Sequence, residues 1–174
     1  MNSVLQDIFR ESVMSGKIGF QKFFDSLRDQ DTQAVLDLMG WIVSSFSYTD
    51  DSDLVKAAYT TLAHHRVTKH LKDFESLRDR WQDTYLNQYE YLLALFDNGQ
   101  NGAKCNCNVY QDGRFNAPPY QDDLVILQER KREEGPYSFD VLDVRCVICG
   151  TVWEVEIDYI YHYPHSHWRK ASLD

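Results

Sequence analysis

Residues 146–163 read Cys146-Val147-Ile148-Cys149-Gly150-Thr151-Val152-Trp153-Glu154-Val155-Glu156-Ile157-Asp158-Tyr159-Ile160-Tyr161-His162-Tyr163. From Thr151 onward the pattern has a period of two. Trp153, Val155, Ile157, Tyr159, Tyr161 and Tyr163 fall on one face of an extended chain, and Glu154, Glu156, Asp158 and His162 fall mostly on the other. Such alternation is the mark of a half-buried antiparallel strand. Working backward, the same period predicts strands over Leu124–Arg130 and Tyr137–Cys146, with Glu133-Glu134-Gly135-Pro136 turning between them. The expectation is a three-stranded meander, strands Leu124–Arg130, Tyr137–Cys146 and Thr151–Tyr163. Its last turn is the Cys146–Gly150 knuckle, and the aromatic face of Trp153–Tyr163 is buried against helices.

The knuckle carries two of the chain's four cysteines. The other two, Cys105 and Cys107, form a C-N-C pair roughly forty residues earlier. Two close pairs can converge on one tetrahedral ion, and zinc is the usual occupant of four thiolates. The quartet resembles a zinc ribbon, in which a C-x-x-C-G knuckle on a β-hairpin meets a second cysteine pair. The likeness covers roughly the last seventy residues and departs from the usual pattern in its C-x-C first pair. It implies one structural Zn²⁺ per chain held by Cys105, Cys107, Cys146 and Cys149. A redox Cys146/Cys149 pair is the competing reading, but redox C-x-x-C normally opens a helix in a βαβ context rather than turning a hairpin.

Ahead of this region, residues 1–97 carry helical spacing. Leu5, Ile8, Phe9 and Val13 mark a first amphipathic set, and Phe20, Phe23, Phe24 and Leu27 a second, with Gly16 and Gly19 between them. Asp31 or Thr32 can cap a third helix through Val35, Leu38, Met39, Ile42, Val43 and Phe46. A fourth carries Leu54, Ala58, Thr61 and Leu62. A long last one runs from Leu71 through Phe74, Leu77, Trp81, Tyr85, Tyr89 and Leu92 to Phe96. Asn98-Gly99-Gln100-Asn101-Gly102 ends it, and Asp112-Gly113 can turn a short hairpin between Asn108–Gln111 and Arg114–Asn116. The fold class expected is α+β: a helical region over 1–98 packed on a small antiparallel region over 99–174 with a zinc-ribbon-like four-cysteine site.

Charge bounds the function. The net charge is −9, and the excess of acids is shared by both halves, 15 acids against 10 bases over residues 1–100 and 12 against 8 beyond. Nucleic-acid binding needs a basic patch, and the short run Arg130-Lys131-Arg132 is the sole local support for a nucleic-acid-binding ribbon. No phosphate-cradling glycine loop or nucleophile elbow is present. Cys105-Asn106-Cys107-Asn108 lacks the glutamate a zinc deaminase would place there. The start lacks a secretory signal and the longest apolar run, Tyr91–Phe96, is too short to cross a bilayer, so a cytoplasmic protein is expected. His162, His165 and His167, with nearby carboxylates, leave open a metal-dependent enzyme.

Small size, acidity, tyrosine-rich character and the lack of a catalytic constellation resemble bacterial toxin-immunity proteins. That resemblance implies a non-enzymatic protein that blocks a basic toxin domain by direct contact, with Glu154, Glu156 and Asp158 as candidate partner-binding residues and no role for a membrane.

Overall fold

The computed structural model describes residues 4–81, 87–160 and 163–171. Its architecture is α+β, with seven α-helices and one four-stranded antiparallel sheet among the described residues. The chain divides into two compact units, Met1–Arg78 and Asp79–Asp174.

The first unit is helical. Helix α1 (Val4–Phe9) continues into a wider π turn (Arg10–Met14), which Gly16 ends at φ +74°. Helix α2 (Phe20–Asp25) follows, then α3 (Thr32–Ser45), α4 (Ser52–His64), a 3₁₀ turn (Thr68–His70) and α5 (Leu71–Glu75). Asp31 is the cap of α3: its carboxylate accepts from the Ala34 amide at 3.0 Å. Leu38, Met39 and Ile42 of α3 and Val55, Ala58 and Leu62 of α4 are all almost wholly buried. Each large one contributes about 1.5–3 kcal/mol of hydrophobic stabilisation. At the other end of α3, Phe9 meets Phe23, Trp41 and Phe46 edge-on at ring separations of 5.3, 5.9 and 6.0 Å.

Among the described residues the expected long last helix is instead two, and its Tyr85 lies outside them. After α5, the Ser76 hydroxyl donates to the Asp73 carbonyl, and the Leu77 and Arg78 amides bond three residues back rather than four. That tightening ends the helix without glycine or proline. Helix α6 (Gln88–Gln100) starts afresh after Asn87 at φ +48°. It groups with the second unit, whereas the change in sequence character lies at 98/99.

Gly40 of α3 lets the His70 ring approach closely: a Cβ there would lie 3.0 Å from Nε2. His70 is buried, and burial, with Lys69 beside it, pushes its pKa below the ordinary value against the pull of Asp73. A depressed histidine is neutral in the fold while the unfolded chain takes up a proton below about pH 6.5. Stability is therefore fully present above that value and is lost as pH falls through the folded pKa. The urea midpoint is expected to drop between about pH 7.5 and pH 5.5, and His70→Gln to shrink that drop. Equal drops in both proteins would contradict this.

In the second unit, the short helix α7 (Cys107–Tyr110) precedes β1 (Leu124–Glu134), β2 (Tyr137–Cys146), β3 (Val152–Asp158) and β4 (His165–Lys170), ordered β1-β2-β3-β4. Three predicted details are corrected. The hairpin over 108–116 is absent, because residues 107–110 are helical and Arg114 bonds back to Asp112 through amide and guanidinium. The third strand stops at Asp158, and β4, missed in the sequence, returns antiparallel to it. The aromatic face is buried only in part. Trp153, Val155 and Ile157 are buried, but Tyr159 and Tyr163 are 53% and 39% exposed, and Tyr161 lies outside the described residues.

Register sets the two faces. Leu142, Val144, Val155 and Trp153 share the inner face, where Trp168 and Tyr110 of α7 complete an aromatic group. A bulge between Ile126 and Gln128 leaves Leu127 out of the ladder of β1, an edge strand. No helix among the described residues is long and apolar enough to cross a membrane.

Candidate metal centre

The β2–β3 connection builds one half of the centre. The Cys146 amide donates to the Thr151 carbonyl and the Gly150 amide to the Cys146 carbonyl, both at 3.0 Å. Closing so short a loop places Gly150 at φ +73°, a conformation that costs glycine little and other residues more. The turn brings the Cys149 amide within 3.5 Å of Cys146 Sγ, and Cys149 Sγ lies 3.3 Å from Thr151 Oγ1.

The other half comes from the loop after α6. Gly102, at φ +74°, turns the chain, and Cys105 and Cys107 follow at the start of α7. All four sulfurs lie within 4.8 Å of one another, and Cys107 Sγ is 3.8 Å from Cys149 Sγ. A tetrahedral ion with metal–sulfur bonds of about 2.3 Å holds its sulfurs about 3.8 Å apart. The spacing therefore suits one small ion at the centre of the quartet. All four cysteines are free of disulfides, and their exposure is graded: Cys107 and Cys146 are buried, Cys105 half-buried and Cys149 exposed.

Protonation follows this environment. Burial pushes the Cys105 and Cys107 thiols up, so protons stay on them until a cation displaces them. Burial also opposes a charge on Cys149, but hydrogen bonds from Thr151, Cys146 and Cys105 outweigh it and pull that thiol down to about 6. Cys149 thus leans toward the thiolate, whereas a metal ion would have to displace the protons of Cys105 and Cys107.

A shell of amides holds the C-x-C segment in place. Asn98 of α6 is buried; its Nδ2 donates to the Cys105 carbonyl at 2.8 Å and to Asn106 Oδ1 at 3.1 Å. Asn108 Nδ2 donates to Asn98 Oδ1 at 2.8 Å. Asn106, wholly buried, donates to the Tyr110 hydroxyl, which donates to Asp123 Oδ1 at 2.9 Å. Burial, with Asp123 alongside, keeps the Tyr110 phenol protonated for that role. The Asp123 carbonyl in turn accepts from the Val147 amide of the knuckle. One chain of hydrogen bonds so links the two cysteine pairs through α6, α7 and the entry to β1. These residues carry no sequence signal beyond the asparagines that flank Cys105 and Cys107.

The predicted acidic contact lies on the opposite face of the sheet. Glu154 and Glu156 are half-buried and Asp158 is buried. Arg130 bridges Asp143, at 2.7 Å, and Glu154. Arg132 pairs with Glu156 at 2.7 Å, and Arg169 reaches Glu154 at 3.2 Å. His167 lies 2.8 Å from Asp158. Arg132 also covers the Phe139 ring at 4.4 Å. The acids are thus not an open negative face but one half of a ladder with arginines. The basic run is split by the pleat: Arg130 and Arg132 join this ladder, while Lys131 points to the inner side, 3.9 Å from Asp140.

Of the histidines, His165 stacks on Tyr163 at 4.8 Å, His167 is held by Asp158, and His162 lies outside the described residues. Among the described residues the cysteine quartet is the one group of three or more metal-ligating side chains placed to share an ion. No protein-family model, curated protein or solved structure matches this chain, so the reading of the centre rests on its own geometry.

Proposed function

We propose that this chain is a non-enzymatic acidic binding protein whose second unit is held by one structural zinc ion. The observation that carries this reading is the closure of the quartet. Four thiolates within 4.8 Å of one another fill every corner of a tetrahedron, leaving no position for water or substrate. Soft sulfur ligands in that geometry select zinc over the hard cations of hydrolytic sites, and zinc brings no redox chemistry of its own. The arrangement has the sense of a zinc ribbon: a glycine-terminated knuckle on a hairpin, met by a second pair.

Charge supports the binding half of the proposal. The second unit carries 16 acids against 9 bases, and a zinc tetrathiolate adds about −2 more. A basic protein domain would be steered toward such a surface, and immunity to a basic toxin is the biological role this style of protein fits. Glu154, Glu156 and Asp158 remain candidate contacts. A partner's lysines and arginines would compete there with Arg130, Arg132, Arg169 and His167.

Binding to a panel of purified basic toxin domains tests the proposal at low and moderate salt. At least one is expected to bind, with affinity falling steeply as salt rises. Glu154→Lys, Glu156→Lys and Asp158→Lys together are expected to weaken it at least tenfold. Unchanged affinity removes this face as the contact, and no salt-sensitive binding across the panel contradicts the proposal.

A further inference from the structure

A second surface has the chemistry of a partner site, and it lies in the first unit. An open groove of about 410 Å³ runs between the α1–π turn segment and the start of α4. Its floor holds half-buried Phe20 and Phe46 above the fully buried Phe9, and its lip holds Met14, which is 58% exposed. Asp50, Asp51 and Asp53 stand along the far side. No base lines the groove among the described residues.

The three carboxylates differ from those of the sheet. Glu154 and Glu156 each have an arginine in contact, and Asp158 a histidine. Asp50, Asp51 and Asp53 are exposed and form no ion pair among the described residues. Asp51 sits at the cap position of α4, yet its side chain makes no capping hydrogen bond. Acids here do favour the positive end of the helix, but that effect needs neither three of them nor an aromatic floor beside them. An exposed methionine over half-buried Phe20 and Phe46, next to unpaired negative charge, is complementary to a segment that presents apolar and cationic side chains together.

We infer that this groove docks a basic amphipathic segment of a protein partner, with an apolar side chain on Met14, Phe20 and Phe46 and its lysines or arginines against Asp50, Asp51 and Asp53. The inference rests on the reading of the chain as an acidic binding protein, and it moves part of the contact from the sheet to the helical unit.

The probe is a synthetic 18-residue peptide of leucine and lysine patterned as an amphipathic helix, with a lysine–glutamine peptide of equal charge as control. Both are titrated into the protein of residues 1–174 and followed by amide chemical shifts. The leucine–lysine peptide is expected to bind at least tenfold tighter than the control, with shifts centred on residues 9–20 and 46–54. Asp50→Asn, Asp51→Asn and Asp53→Asn together are expected to weaken it at least tenfold. Met14→Lys, at an exposed position that does not threaten the fold, is expected to do the same. Equal binding of both peptides, or no binding, overturns the inference. So do shifts centred on the sheet with the aspartate variant unchanged, and that outcome leaves the acidic-binding reading standing.

Discussion

Cys146→Ser is expected to abolish metal retention and unfold the second unit. Cys146 is wholly buried at the end of β2, and its backbone closes the knuckle at both ends. Structural zinc sites contribute about 10–16 kcal/mol of apparent binding free energy in small domains. Whole domains are stable by only about 5–15 kcal/mol. Losing the ion therefore exceeds what the sheet's apolar face supplies as a margin. Amide spectra should show residues 79–174 collapse to random-coil positions, and chelation of the wild-type protein should reproduce this. Signals from residues 4–78, whose core supplies no ligand, are expected to keep their dispersion. A Cys146→Ser protein that melts with the wild type, with the same spectrum, would remove the metal from the account.

Asn98→Ala is the second large effect. The Asn98 side chain donates to the Cys105 carbonyl and to Asn106 Oδ1 and accepts from Asn108, all from a buried position. Each buried group left without a partner costs about 1–3 kcal/mol, so a loss of about 2–5 kcal/mol is expected by urea unfolding. Asn98 touches none of the sulfurs in the contacts described, so it acts by positioning the C-x-C segment. Groups of this kind typically change metal affinity about 10–100-fold. Competition with a chromophoric chelator should show that weakening. Destabilisation of equal size with and without metal would mean that Asn98 supports the fold but not the centre.

These predictions rest on features that differ in how far the sequence reveals them. The four cysteines stand out because no others exist and because C-x-x-C-G both ligates and turns. The alternation through Trp153, Val155 and Ile157 names the strand and its inner face directly. Asp31 names its own helix start.

What the sequence hides depends on partners distant along the chain. Asp112-Gly113 is a strong hairpin signal, yet residues 107–110 coil into α7, where Asn98 accepts from Asn108 and donates to Cys105 and Asn106 just ahead of the helix. The strand β4 begins beside Pro164 in a run of histidines. It is held by Asn116, whose side chain bonds the Pro164 carbonyl at 2.8 Å and the Ser166 amide, and by Trp168, which donates to the Ala117 carbonyl at 2.8 Å. Glu154 and Glu156 look like a bare acidic face because alternation shows only their own strand. The arginines that meet them come from β1 and β4, and only the register supplies that information.

In the proposed reading, four cysteines hold one zinc ion and the second unit folds around it. The most direct test is elemental analysis of the protein purified under reducing conditions without added metal, alongside thiol titration of the native and denatured states. One zinc per chain is expected, with the four thiols unreactive until the protein is denatured or the metal chelated. A metal-free protein whose four thiols titrate freely in the native state, or one carrying a different stoichiometric metal, would contradict it.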